Sequence, residues 1–159
     1  MSGPAAFHIH FRGQVQGVGF RPLVYRLARE GGWAGWISNG KDGVHLYLEG
    51  SREEIEFKVR SIQEQLPAYA RIQETIITPT EGLSLGTFFI RDSEDQSATD
   101  LLLSPDRGIC PTCRAEWRES DNRRYQYPFI TCLHCGPRYS IIRQLPYDRE
   151  RTTMASFPL

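Results

Sequence analysis

Lysine is almost missing from this chain. Lys41 and Lys58 are the only two among 19 basic residues, and the rest are arginine. Nothing in the sequence attaches a function to that bias. Net charge is missing as well, since 19 Asp and Glu balance the 19 Lys and Arg. The balance holds locally: residues 1–91 carry ten basic and nine acidic side chains, and residues 92–159 carry nine and ten. With no basic face and no acidic tail, neither nucleic acid binding nor a disordered charged arm is indicated. No apolar run approaches the roughly 20 residues of a membrane span. The first six residues, MSGPAA, lack a basic region followed by a hydrophobic core, so they are not a secretory signal. A cytoplasmic protein is the expectation. Cysteine is absent before position 110, and all four cysteines fall between 110 and 135 as two Cys-x-x-Cys pairs. Without an export signal, that clustering favours a metal over disulfides. No Ser/His/Asp or Cys/His set for covalent catalysis can be made out.

Glycine, by contrast, is concentrated where it matters. Gly13, Gly17 and Gly19 fall within seven residues, after the alternating apolar run Phe7, Ile9, Phe11. Arg21 and Pro22 then open a helical pattern carried by Leu23, Val24, Leu27 and Ala28, expected to span Pro22 to Glu30 and to stop at Gly31-Gly32. A glycine loop feeding a helix N-terminus is an anion cradle, because free amides and the positive end of the helix dipole point the same way. An arginine beside it adds a planar fork of donors for phosphate. The loop is neither a Walker loop nor G-x-G-x-x-G, and glycines alone are equally compatible with a tight strand-to-helix turn.

Further elements follow from periodicity. Trp33 to Ser38 reads as a strand, with Asn39-Gly-Lys-Asp-Gly43 as a hairpin turn and Val44, Leu46 and Leu48 on the return strand. Ser51 and Glu54 form a capping box ahead of Ile55, Val59, Ile62 and Leu66 at helical spacing. Residues 70–78 are a strand whose alternation breaks at Ile76-Ile77, which suggests a bulge or burial on both faces. Residues 86–91 give a last strand. The order strand, helix, strand, strand, helix, strand, strand is that of a ferredoxin-like α+β sandwich: one antiparallel sheet with two helices on one face. His8 and His10 on the polar face of the first strand read as surface residues. Trp33 and Trp36 read as packing residues.

The string Gly-Gln-Val-Gln-Gly-Val-Gly-Phe-Arg, residues 13–21, resembles the acylphosphatase signature at each of its defined positions. The resemblance covers residues 7–91 and implies the same sandwich. It implies that Val15, Gln16, Gly17, Val18, Gly19, Phe20 and Arg21 bind phosphate and that Arg21 is catalytic. It also implies that Asn39, in Gly-Trp-Ile-Ser-Asn-Gly, positions the attacking water. Taken alone, Asn39 reads more readily as an ordinary turn asparagine. An acyl phosphate expels a weakly basic carboxylate, so hydrolysis needs charge stabilisation and a placed water, with no cofactor.

Cys110-x-x-Cys113 and Cys132-x-x-Cys135 are separated by 18 residues, a spacing of structural zinc motifs. Four thiolates close a tetrahedral Zn2+ site. A redox dithiol and two disulfides are the rivals, and His134 could replace a cysteine. Tyr125, Tyr127, Phe129 and Tyr139 are expected to build the small core around the metal. An acylphosphatase-like domain at 1–91, a linker at 92–106 and a cysteine module at 107–159 together resemble the N-terminal part of the HypF family of hydrogenase-maturation carbamoyltransferases. The stretches Arg124–Ile130, His134–Arg138 and Pro146–Arg149, with Met154-Ala155 and 157–159, carry that resemblance further.

What the resemblance implies is carbamoyl phosphate as substrate and HypE as the partner that receives the carbamoyl group, with ATP used only in downstream domains. The sequence stops where the family continues with a second pair of knuckles, so it is expected to be a truncated piece that cannot complete transfer alone. A non-catalytic phosphate-binding or protein-docking module with a structural zinc is the alternative.

Overall fold

The computed structural model describes residues 4–93, 106–132, 135–136 and 139–156. Expectations for the rest, including most of the 92–106 linker, His134 and Arg138, lie outside the described residues. In chain order the elements are β1 (Ala6–Gln14), α1 (Phe20–Glu30), β2 (Gly35–Gly40), β3 (Gly43–Glu49), α2 (Arg52–Glu64), β4 (Arg71–Thr80), β5 (Phe88–Ile90) and α3 (Pro111–Arg118). The five strands form one sheet in the order β4-β1-β3-β2-β5.

Strand alternation puts Ile9, Phe11, Ile37, Val44, Leu46 and Leu48 on one face, where each is fully buried. Val24, Leu27 and Ala28 of α1 and Ile55, Val59 and Ile62 of α2 pack onto that face in a single core. Burying each large apolar side chain contributes about 1.5–3 kcal/mol. The opposite face carries His8, His10 and His45, as alternation dictates. The capping box at α2 is complete: Ser51 accepts from the Glu54 amide, and the Glu54 carboxylate accepts from the Ser51 amide. Such a cap contributes about 1 kcal/mol. Hydrogen bonding of the carboxylate to Ser51 holds Glu54 below the usual glutamate range.

The sandwich is as expected, with three corrections. First, β5 pairs with β2 in parallel, so the sheet is mixed at that edge instead of wholly antiparallel. Second, α1 begins at Phe20, two residues before Pro22. Gly19 takes a left-handed conformation and its carbonyl accepts the first helical bond, from Leu23. Third, Ile76 and Ile77 pair regularly with His10 and Ile9. The register shift lies further along, where Arg12 faces Glu74 and Gly13 faces Ile72, leaving Gln73 extra. Of the two isoleucines, Ile77 packs on the core and Ile76 is 39% exposed.

Candidate active site and cysteine cluster

The loop between β1 and α1 turns twice through left-handed backbone, at Gly17 (φ 69°) and Gly19 (φ 82°), which side chains rarely tolerate. Gly19 caps α1 without a side chain, so the first-turn amides are not covered by a capping group. The loop, Arg21 and Asn39 meet at one cavity of about 340 Å3, lined by Val15, Gln16, Gly17, Gly19, Phe20, Arg21 and Asn39 among others. Val18 differs from its neighbours: its side chain is buried in the core.

Gln16 fastens this loop to the β2–β3 hairpin. Its Nε2 donates to the carbonyls of Gly40 at 2.6 Å and Gly43 at 2.7 Å. Asn39, at the end of β2, is 1% exposed. Its Oδ1 is buried with no hydrogen-bond partner among the described residues. A buried acceptor without a donor costs about 1–3 kcal/mol, so a water or ligand donor belongs there.

The far wall of the cavity comes from the cysteine module: Thr131, Cys132, Gly136 and Tyr147. Sequence reasoning misses this wall, although Tyr147 lies in Pro146–Arg149, one of the stretches that carry the family resemblance. The Tyr147 carbonyl accepts from Arg21 Nη2 at 3.3 Å and from Asn39 Nδ2 at 2.9 Å, and the Tyr147 amide donates to Gln16 Oε1 at 3.0 Å. Asp148 Oδ1 is 2.8 Å from Arg21 Nη2, and Ser93 donates to the same carboxylate. Burial pushes the Tyr147 phenol above its ordinary range. A Cβ at Gly136 would stand 2.9 Å from the Gly17 carbonyl, so glycine at 136 is what lets the two modules close up.

The four cysteine sulfurs converge. Cys110 and Cys132 are 3.6 Å apart, Cys113 and Cys135 3.9 Å, and Cys132 and Cys135 3.8 Å. A tetrahedral zinc with bonds of about 2.3 Å requires sulfurs about 3.8 Å apart, so the donor set fits one zinc-sized ion shared by both knuckles. Cys110 caps α3 through its sulfur. Burial pushes the Cys113 thiol up to about 12. For Cys135 burial also raises the thiol, but hydrogen bonds to its sulfur, that of Thr131 among them, outweigh it and hold the group at about 6. The expected aromatic core is not there: Tyr125, Tyr127, Phe129 and Tyr139 are 37–54% exposed. Cys110, Cys113, Cys135 and Ile130 fill the centre, with Tyr69 packed against them from the sheet side.

On the outer face of the sheet His8, His10 and His45 stand side by side next to Asp42. Burial first, then the neighbouring His45, hold the His8 and His10 imidazoles below the ordinary histidine range.

A phosphate-type loop on a five-stranded sandwich, an arginine and an asparagine at its mouth, and an adjoining four-cysteine cluster define an acylphosphatase domain with a cysteine finger. Comparison with known proteins agrees. The acylphosphatase family model matches residues 7–89, and the HypF finger model matches residues 109–142. An acylphosphatase of Synechococcus sp. is 39% identical over 93 residues, covering 57% of this chain and 97% of that protein. The chain therefore belongs to the acylphosphatase family, in the HypF type that joins this domain to the finger. The carbamoyltransferase HypF of Synechocystis sp. is 43% identical over 149 residues, covering 94% of this chain and 19% of that protein. A solved full-length HypF in a phosphate- and nucleotide-bound form matches 99% of this chain at 38% identity with a TM-score of 0.87, and 21% of its own length is covered. The chain thus spans about a fifth of the HypF proteins it matches. No helix among the described residues is long and apolar enough to cross a membrane.

Proposed function

We propose that this chain hydrolyses an acyl phosphate, and that the substrate is carbamoyl phosphate. The observation that carries this reading is the oxygen cluster at the mouth of the loop. A carbonyl bridges Arg21 and Asn39 while a carboxylate sits on Arg21. A phosphoryl group would bring oxygens of the same kind to the same donors. In the proposed reaction the amides of residues 16–20 and Arg21 stabilise the charge on the phosphoryl oxygens. Asn39 holds water by its unpartnered Oδ1. The water oxygen bonds to phosphorus as the bond from phosphorus to the carbamoyl oxygen breaks. The leaving carbamate keeps the electron pair, and carbamate and dihydrogen phosphate share the two negative charges of the substrate. Because carbamate is a weak base, no general acid is needed.

Residues 1–91 form the hydrolytic unit in this reading, 92–106 the linker and 107–159 the finger. Cys110, Cys113, Cys132 and Cys135 hold a structural Zn2+, which leaves no open position for catalysis. The HypF relatives are named carbamoyltransferases, which supports this hydrolysis as the first step of carbamoyl transfer to HypE in hydrogenase maturation. The ATP-dependent and transfer steps fall to the parts of those relatives that this chain does not match. The engagement of Arg21 by Asp148 favours a second reading, a docking module that binds phosphate without turnover.

Hydrolysis of carbamoyl phosphate in water enriched in oxygen-18 separates the two. The label is expected in the released phosphate, with Asn39→Ala slower by roughly 10²-fold through loss of water positioning. Phosphate binding without catalysed incorporation of label into phosphate would establish the docking module instead.

A further inference from the structure

We propose that His10, His45 and Asp42 form a binding site for a divalent first-row metal ion of the cobalt-to-zinc class, on the sheet face turned away from the helices. This site is distinct from the thiol cluster and does not depend on the reading of the phosphate loop.

His10 and His45 are directly opposite each other in the β1–β3 register, where Cβ atoms of neighbouring strands stand about 5 Å apart. Their ring centroids are 4.4 Å apart. Asp42, the second residue of the two-residue turn between β2 and β3, folds back onto both. Its Oδ1 lies 2.9 Å from His45 Nε2, and its Oδ2 lies 3.4 Å from His10 Nε2. One ligand atom from each residue lies within 4.8 Å of the others. The ring planes are 15° from parallel, so closing on one ion turns the His10 ring about its χ2 while its Cβ stays in place. The side chains are 11–20% exposed, partly shielded from solvent.

Two further observations point to a ligand set. First, His45 has an outer partner: its Nδ1 lies 3.2 Å from His8 Nε2. Metal-ligating histidines characteristically anchor the ring nitrogen that does not face the metal in this way. Without metal, His8 Nε2–H donates to His45 Nδ1 and His45 Nε2–H donates to Asp42. With metal, His45 carries its proton on Nδ1, donates it to His8 Nε2, and frees Nε2 for the ion. His8 then carries its own proton on Nδ1, and the His10 proton moves from Nε2, where it faces the Asp42 carbonyl at 3.2 Å, to Nδ1, which frees His10 Nε2 for the ion. Second, the turn leaves room where the ring nitrogens converge. A Cβ at Gly40 would stand 2.6 Å from His45 Nε2 and 2.8 Å from Asp42 Oδ1, and one at Gly43 would stand 3.1 Å from His10 Nε2.

Two imidazoles and a carboxylate select borderline ions over calcium or magnesium, which prefer all-oxygen sets. The carbonyls of Gly40 and Gly43 are the ones that Gln16 grips. An ion on Asp42 would therefore stiffen the turn next to Asn39.

The test is a Co2+ titration of the chain with its finger already loaded with one zinc. Zinc release is monitored, along with the imidazole resonances of the three histidines. The expected result is one equivalent of Co2+ taken up with the zinc retained. The His10 and His45 rings should be shifted and broadened before any other group. His10→Gln and His45→Gln should each weaken uptake at least tenfold. The proposal is overturned if no equivalent binds, if the paramagnetic effect centres elsewhere, or if both variants bind Co2+ as the native chain does. Should a variant fail to fold, the native-chain resonances decide alone.

Discussion

In the proposed reaction, Asp148 and the phosphoryl group would compete for the same guanidinium. The contact between Arg21 and Asp148 is a charge-assisted pair at 2.8 Å, with both side chains about a quarter exposed. A dianionic substrate that uses Arg21 Nη2 has to displace that carboxylate. Removing it relieves the competition by about one charge-assisted hydrogen bond, roughly 1.5 kcal/mol, or about tenfold in affinity. Asp148→Ala is therefore expected to lower KM for carbamoyl phosphate by up to tenfold with kcat nearly unchanged. A lower kcat at constant KM would instead mark Asp148 as the group that holds Arg21 in its working orientation.

The β2–β3 hairpin is the element that joins the loop to Asn39. Its turn is held from one side by Gln16 and from the other by the histidine face. Gln16→Ala leaves two buried carbonyls short of a donor and frees the hairpin next to Asn39. A loss of about 2–3 kcal/mol is expected in denaturant unfolding, together with a fall in phosphate release larger than any change in KM. Equal stability and activity in the variant would mean that the clamp is idle. At this scale the sequence was informative where forces are local. Alternation marked β1 and β3, and Ser51 with Glu54 marked the start of α2. It was silent where partners are distant. The parallel pairing of β5 depends on register between strands far apart in the chain and leaves no local signature, whereas the shift on β1 falls at Gly13, where φ is 121°.

At the scale of the whole molecule, the finger forms one wall of the cavity at the β1–α1 loop. The loop residues and Asn39 were each legible in a short local string, 13–21 and 35–40, but the contacts of Arg21 with residues 147 and 148 span 126 and 127 positions. No pattern in the sequence announces them. The four exposed aromatics of the finger make the same point. They read as a core, yet the clustered cysteines and Ile130 already fill that space. Stripping the proposed zinc leaves Cys113 with a thiol pushed up to about 12 and the knuckles held by the small cluster around Ile130. A chelator is expected to abolish the finger's thermal transition while the sandwich still melts cooperatively. KM should change because the cavity loses the wall at Thr131, Gly136 and Tyr147. A single transition unmoved by chelation would contradict a structural metal.

The central claim is that the Gly13–Arg21 loop is a working acyl-phosphate site, and phosphate release from carbamoyl phosphate tests it most directly. Measured above spontaneous decay, the native chain is predicted to release phosphate and Arg21→Ala to lose about 10²–10³-fold, as when a main charge-stabilising donor is removed. Equal release by native and variant chains, or none by the native chain, would contradict it.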